Sequence, residues 1–214
     1  HVSQYEQDRQ EVSLIAILRE RKSVVLYALV GGFGSFVYAQ FNYLLPLNME
    51  SLYGAKGAEI FGLLTSVNAL VVILATPLVT TFLGKIRDVK KLLIGQTLIV
   101  LGLYSYRYVQ LQMALYFLLM VIFTIGEVFK TLGEQPYMTR RIPATHWGRV
   151  NSFVSIVSGA FSSVGNLFLG RLLDSQGYSA AWLAVGLAGI GLIILAYLLS
   201  ETDKKAFPLL YAEK

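Results

Sequence analysis

Long runs of apolar residues constrain this sequence more than any other feature. The hydrocarbon core of a bilayer is about 30 Å thick, and an α-helix needs roughly 20 apolar residues to cross it. Six runs reach this length, at about 24–46, 59–83, 92–109, 112–135, 150–172 and 179–200. The runs are continuous and lack the period-2 alternation of barrel strands, so they predict six transmembrane helices.

The composition also favours a membrane protein. Hydrophobic residues make up 55% of the 214 residues and charged residues only 14%, whereas a soluble domain has about a quarter of its residues charged. The chain has no cysteine, which excludes disulfides and thiolate metal sites, and its two histidines are too far apart to suggest a metal site. The net charge of +5 is interpreted as cations flanking membrane spans, not as a nucleic-acid-binding surface.

The positions of Lys and Arg predict the orientation of the spans. Fourteen of these residues lie before the first run or after the second, fourth and sixth runs. The connections on the other side hold three, namely Lys56, Arg107 and Arg171. Because positive residues are retained on the cytoplasmic side, both ends of the chain are expected to be cytoplasmic.

An internal repeat relates the two halves of the chain. Residues 61–88 align without a gap with residues 147–174, and the best block is FLGKIRD against FLGRLLD. Three runs separate the two copies, and an odd number places them in opposite orientations. The pattern predicts an inverted repeat of three plus three helices, which is typical of secondary transporters.

Three motifs carry a resemblance to a known family. GKIRDVKK (84–91) follows the second run, Gly126 and Glu127 precede Pro136 in the fourth, and WGRVNSF (147–153) opens the fifth. Over about 23–200 the chain resembles the C-terminal six-helix half of a major facilitator superfamily transporter, and Gly126-Glu127 is similar to the pair found in proton-coupled multidrug antiporters. The basic-x-Gly that usually follows the aspartate is missing here.

The resemblance implies an all-α membrane protein that forms half of a twelve-helix fold. The partner would be the N-terminal six-helix half of the same transporter, which we expect to be missing from this sequence. Residues 1–22 would be a cytoplasmic linker or amphipathic segment, and 201–214 a cytoplasmic tail. A multi-pass protein of the plasma (cell inner) membrane without a cofactor is expected.

Three charged residues interrupt the fourth run. Glu127, Lys130 and Glu134 are spaced i, i+3 and i+7, which places them on one helical stripe. An ionisable group inside a membrane helix costs roughly 2.5–3.5 kcal/mol on insertion scales and is a functional candidate. We therefore predict Glu127 as the proton-coupling or cation-recognising acid, with Lys130 as its neighbour and Glu134 at the cytoplasmic edge. The alternative is a permanent structural pair of Glu127 and Lys130.

Polar residues within the other runs are candidates for substrate binding. They are Tyr38, Gln40 and Asn42 in the first run, Asn68 in the second and Asn166 in the fifth. The resemblance implies that the first helix of each triplet lines a central cavity. The alternative is that these side chains bond neighbouring helices.

The loop after the second run is a candidate conformational latch. Its residues are Gly84, Lys85, Arg87, Asp88, Lys90 and Lys91. The Asp88 carboxylate would accept hydrogen bonds from a helix N-terminus or an arginine in one transport state only. The alternative is a solvated basic loop that only sets topology.

The inverted repeat and the resemblance predict a transporter, and the lack of a Gly-rich phosphate loop and of a hydrolase pattern in the sequence argues against an enzyme. The main hypothesis is proton-coupled export of lipophilic, often cationic compounds across the lipid membrane. One alternative is transport of a sugar or small metabolite, hydrogen-bonded by Gln40, Asn42, Asn68 and Asn166. Another is a non-transporting membrane sensor or assembly subunit.

Overall fold

The computed structural model describes residues 22–109 and 112–212, and these residues are helical with no β-strand among them. The helices are α1 (Lys22–Ala39), α2 (Leu44–Tyr53), α3 (Gly57–Leu83), α4 (Asp88–Ser105), α5 (Met113–Arg141), α6 (Trp147–Ala206) and the short α7 (Leu209–Ala212). The prediction of an all-α protein is confirmed. The predicted linker or amphipathic segment 1–22 lies outside the described residues, apart from Lys22.

Two glycines with a positive φ interrupt the helical stretches Lys22–Leu83 and Ala144–Ala206. Gly54 ends α2 with a φ of 58°, and its N–H donates to the Glu50 carbonyl. Gly177 interrupts α6 with a φ of 78° and a ψ of −178°, so that α6 consists of segments 147–176 and 178–206. Only glycine adopts the second conformation without strain. Both glycines therefore mark points where the chain can leave its helix.

The first segment of α6 runs alongside α1 in the same direction. Gly31 of α1 lies against Val154, and Phe36 lies against Gly165. Because both residue numbers rise together, the two segments are parallel. The contact is close, since a Cβ added at Gly165 would meet the Phe36 ring at 2.1 Å.

The second segment of α6 runs in the opposite direction. The Trp182 indole N–H donates to Asn48 Oδ1 at 2.7 Å, whereas Gly191 faces Phe33, near the middle of α1. Residue numbers in α6 thus rise as those along α1 and α2 fall. The chain therefore reverses its direction at Gly177.

Glycines bring α4 and α5 into close backbone contact. A Cβ added at Gly126 would lie 2.7 Å from the Ile99 nitrogen, and one added at Gly102 would lie 2.8 Å from the Phe123 Cβ. Buried side chains from α1 to α6 form the apolar core of the bundle, and Ile99 and Phe123 are fully buried in it. Gly126 therefore holds the start of the charged stripe, Glu127, against the core of the bundle.

Three stretches of the described residues are long and apolar enough to cross a membrane: Lys22–Leu83, Met113–Arg141 and Ala144–Ala206. Large apolar side chains also cover the outside of the bundle, including Ile73, Phe82, Ile156 and Leu167, which are 69–75% exposed. A soluble monomer rarely exposes so much apolar surface. By length and composition, the chain is therefore a membrane protein.

Candidate functional site

The carboxylate of Glu127 is the centre of a polar cluster inside the bundle. The Tyr38 hydroxyl, from the end of α1, donates to its Oε1 atom at 2.6 Å. The Asn68 amide, from the middle of α3, donates to its Oε2 atom at 2.9 Å. The three predicted residues thus meet across three helices, and each carboxylate oxygen accepts one hydrogen bond from a neutral group.

Thr124 is a fourth member of this cluster and was not among the predicted site residues. The Asn68 amide nitrogen lies 3.0 Å from its hydroxyl oxygen, and the hydroxyl donates to the Met120 carbonyl at 2.7 Å. Thr124 therefore helps to orient the Asn68 amide toward Glu127. The spacing of three residues between Thr124 and Glu127 places both on one face of α5, and this spacing was the available signal.

Lys130 lies beside the cluster without pairing with Glu127. Its ammonium nitrogen is 3.6 Å from Glu134 Oε1 and 5.4 Å from the centre of the Tyr38 ring. No ion pair of Glu127 occurs within residues 22–109 and 112–212. The three charged residues of the stripe are thus divided into a lysine–glutamate pair and one carboxylate that is held by neutral donors.

Gln40 and Asn166 form a second polar contact, between α1 and α6. The buried Gln40 amide donates to Asn166 Oδ1 at 2.8 Å and to the Phe36 carbonyl at 2.7 Å. Its own carbonyl oxygen has no hydrogen-bond partner among the described residues. Asn42 differs from the other candidates, because its side chain is exposed.

Both polar contacts lie where the first helix is interrupted. Residues 40–43 separate α1 from α2, and the N–H groups of Gln40, Phe41 and Asn42 bond carbonyls three residues back instead of four. The tighter turn ends α1 directly after Tyr38 and Ala39. The break therefore places Tyr38 and Gln40 at the end of a helix within the bundle.

Aromatic rings surround the Tyr38 end of the cluster. The Tyr38 ring stacks on Phe123 at a centroid distance of 5.5 Å. Phe41 packs against Phe123 at 5.1 Å and against Phe61 of α3 at 5.7 Å. An apolar and aromatic wall thus adjoins the Glu127 carboxylate.

Charged side chains form a network at one end of the bundle. Asp88, at the start of α4, is buried and lies 3.2 Å from Arg140 and 3.3 Å from Arg141 at the end of α5. Arg141 also bonds Asp203 of α6 through two nitrogens, at 2.5 and 2.8 Å. We call Asp88, Arg141 and Asp203 the buried charge network.

The other residues of the predicted latch loop have different surroundings. Lys91 is buried and its ammonium group donates to the Gly84 carbonyl at 3.2 Å. Arg87 donates to the Tyr211 carbonyl at 3.2 Å and lies 4.5 Å over the Tyr211 ring. Lys85 and Lys90 are exposed. The loop is thus tied to the helix ends around it, mainly through Asp88, Arg87 and Lys91.

Asp203 of the buried charge network and Tyr211, which bonds it, were not predicted as site residues. The Tyr211 hydroxyl donates to Asp203 Oδ2 at 2.7 Å. Burial, the hydrogen bond to Asp203 and the negative charge of Asp203 all raise the pKa of Tyr211. The phenol therefore stays a neutral donor at physiological pH. The only sequence signal was an aspartate just beyond the last apolar run.

The described residues contain no cluster of three His, Asp or Glu side chains that could hold a metal ion. No family model, curated protein or solved structure matches this chain.

Proposed function

We propose that this protein is a secondary membrane transporter that exports lipophilic, often cationic compounds in exchange for protons. The observation that carries the proposal is the environment of the Glu127 carboxylate. It lies near the middle of a long apolar helix, and within the described part of the chain its hydrogen-bond donors are the neutral Tyr38 and Asn68. A carboxylate without a counter-ion in such a helix is a functional candidate. It can hold a proton in one state and a cationic substrate in another.

Six membrane spans are part of the proposal. At 1.5 Å per residue, an unbroken helix of the length of either long apolar stretch would extend about 90 Å, roughly three times the hydrocarbon thickness. Each of these stretches contains a glycine with a positive φ, Gly54 or Gly177. Two spans from each stretch, together with α4 and α5, make the six spans that the apolar runs predict.

The contacts support an inverted repeat of three plus three helices. Of the two aligned blocks, 82–88 ends at Asp88 of the buried charge network, whereas 168–174 ends close to Gly177, where α6 turns back. Within that second block, Gly170 lies against the Tyr43 hydroxyl, at the end of the break between α1 and α2. The blocks thus lie toward opposite ends of the bundle, as an inverted repeat requires.

The break between α1 and α2 supports a transport site at Tyr38 and Gln40. Substrate sites of secondary transporters are typically formed by discontinuous helices near the middle of the membrane. Glu127, on α5, meets the first helix at this break through Tyr38. A movement of α2 relative to α1 would therefore change the access to the carboxylate.

The surroundings of Glu127 favour an apolar cation as substrate over a sugar. The half-buried Tyr38 ring, which lies 5.4 Å from the Lys130 ammonium, presents an aromatic face of the kind that attracts cations. The donors that a sugar would use are engaged, since Asn68 bonds Glu127 and Gln40 bonds Asn166. Transport of a sugar or small metabolite is the alternative. It would be favoured if the amides of Gln40 and Asn68 lost these partners in another transport state and could bond a substrate. A sensor or assembly subunit would show no proton flux.

An open face of the bundle supports the N-terminal six-helix half of the same transporter as partner. A Cβ added at Gly62 of α3, or at Gly148 or Gly159 of α6, would have no neighbour within 4 Å among the described residues. Small side chains allow helices to approach closely in lipid. We assign these faces of α3 and α6 to that half.

The buried charge network is proposed as the cytoplasmic latch. It joins the α3–α4 loop to the ends of α5 and α6, where the positive residues of the chain collect. Positive residues favour the cytoplasmic side, which supports a cytoplasmic position for this end, and the plasma membrane is part of the same proposal. Opening of the bundle at this end would require at least part of the network to break.

Proton movement in proteoliposomes tests the proposal. The complete protein is reconstituted, and a lipophilic cation such as ethidium is added while the internal pH is recorded with a pH-sensitive dye. Wild type should show cation-driven proton movement, and Glu127→Gln should abolish it. Glu134→Gln is the matched control, because it removes a carboxylate of the same helix that is paired with Lys130. Undiminished coupling in Glu127→Gln would refute the role of this residue, and no proton flux in the wild type would favour the sensor or assembly subunit.

A further inference from the structure

A cavity of about 330 Å³ lies where α2 packs against the start of α3. Its lining includes Pro46, Leu47, Glu50, Gly54, Ala58 and Phe61. It contains none of the residues predicted for proton coupling, substrate binding or the latch. Ligand cavities for small organic molecules start at about 300 Å³, so one such molecule would fill it. We call it the α2–α3 cavity.

The lining of the α2–α3 cavity is chemically simple. Pro46, Leu47 and Ala58 are apolar, Phe61 supplies an aromatic ring, and Glu50 supplies the one charged group of the lining. Glu50 is exposed and makes no ion pair within residues 22–109 and 112–212. An apolar wall with a single carboxylate complements a molecule with an apolar body and one positive charge, and it disfavours an anion.

A row of aromatic rings connects this cavity with Glu127. Phe61 packs on Phe41 at a centroid distance of 5.7 Å, and Phe41 packs on Phe123 at 5.1 Å. Tyr38 stacks on the same Phe123 ring at 5.5 Å and bonds Glu127. Phe41 and Phe123 are buried, so the row joins the cavity to the Glu127 cluster through direct side-chain packing.

The geometry points to the α2–α3 cavity as a second binding site for monovalent lipophilic cations. Glu50 faces the positive charge of the ligand, and Phe61 contacts its apolar body. The cavity adjoins the end of α2, whereas the buried charge network lies at the opposite end of the bundle. Because one row of packed rings joins the cavity to the Glu127 cluster, a cation in the cavity is close to its next contact, and the cavity is where it rests before or after it reaches Glu127. That last role depends on the proposed transport function, whereas binding in the cavity does not.

Equilibrium binding separates this site from the Glu127 site. The protein is purified in lipid nanodiscs, and tetraphenylphosphonium is the probe. All variants carry Glu127→Gln, so that the central carboxylate is neutral and transport is not required. This protein should still bind the probe, and addition of Glu50→Gln should weaken binding roughly fivefold, the upper range for an exposed ion pair. Glu59→Gln is the matched control, since Glu59 is an exposed acid of the first turn of α3 outside the cavity.

A neutral probe and a ring variant complete the test. Triphenylphosphine oxide carries no net charge, so Glu50→Gln should leave its affinity unchanged. Phe61→Leu should weaken the binding of both probes, because it removes the ring but keeps an apolar side chain. The inference is overturned if Glu50→Gln and Glu59→Gln weaken cation binding equally, or if neither does. Failure of the transport assay would leave a positive binding result intact, so the two proposals fail separately.

Discussion

Replacement of Asp203 by Asn tests whether the buried charge network holds the bundle together. The Asp203 side chain is fully buried and accepts hydrogen bonds from Arg141 and from the Tyr211 hydroxyl. Arg141 is also buried. An asparagine keeps the size of the side chain and one acceptor oxygen, but it removes the negative charge that faces the guanidinium.

The structure sets the size of the expected effect. Removal of one partner from a buried ion pair costs about 3–5 kcal/mol, because the other charge stays buried without compensation. Here Arg141 keeps a second carboxylate, Asp88, at 3.3 Å. We therefore expect a loss near the lower limit, about 3 kcal/mol. For a protein of this length that corresponds to a fall of roughly 6–12 °C in Tm.

Thermal unfolding in nanodiscs, recorded by tryptophan fluorescence, measures this loss. Asp174→Asn is the matched control, because Asp174 is an exposed aspartate of the same helix. The double variant Arg141→Gln/Asp203→Asn should recover part of the stability, since it leaves no unpaired charge at either position and Asp88 keeps Arg140 at 3.2 Å. The reasoning is refuted if Asp203→Asn lowers Tm no more than Asp174→Asn, or if the double variant is less stable than Asp203→Asn.

Three further predictions follow from single contacts. Gly126→Ala should cost about 1–3 kcal/mol in thermal unfolding, because its Cβ meets the α4 backbone. Gly191→Ala should be near neutral, because its Cβ would lie 3.8 Å from the Phe33 ring, an ordinary contact distance. Tyr38→Phe removes a hydrogen bond to the charged Glu127, worth about 1.5–3 kcal/mol, and should weaken cation-driven proton movement about tenfold in proteoliposomes. The pKa of Tyr211 is raised in the folded protein. Its contribution to the free energy of unfolding is therefore fully present below its unfolded pKa near 10 and is lost as the pH rises from there toward the folded pKa. The stability advantage of wild type over Tyr211→Phe should therefore shrink in unfolding experiments above about pH 10.

The polar site was predictable as a set of residues but not as a set of contacts. Tyr38, Asn68 and Glu127 each stand out as polar groups in apolar runs, and the structure joins them in one cluster. The spacing along α5 allows Lys130 to pair with Glu127 or with Glu134, since both lie about one turn away. Lys130 pairs with Glu134 in the structure, because Tyr38 of α1 donates its hydrogen bond to Glu127 Oε1.

The sequence was less informative about the ends of the bundle. Arg140 and Arg141 resemble ordinary cations that flank a membrane helix, and Asp203 follows the last apolar run. Nothing in their local pattern distinguishes a solvated charge from a buried one. Only the packing of the ends of α4, α5 and α6 excludes water from Arg141 and Asp203. The exposed position of Asn42 depends in the same way on the backbone at residues 40–43.

The sequence by itself determines that the chain is helical and suited to a membrane, because the length and continuity of an apolar run are local properties that suffice for this conclusion. The tertiary structure decides which polar groups meet. Tyr38, Asn68 and Glu127 are separated by up to 89 residues and lie on three helices, and hydrogen bonds of a few ångströms depend on how those helices are oriented and spaced. The close contacts at glycines such as Gly126 set that spacing, and no local pattern specifies which helix a glycine will face.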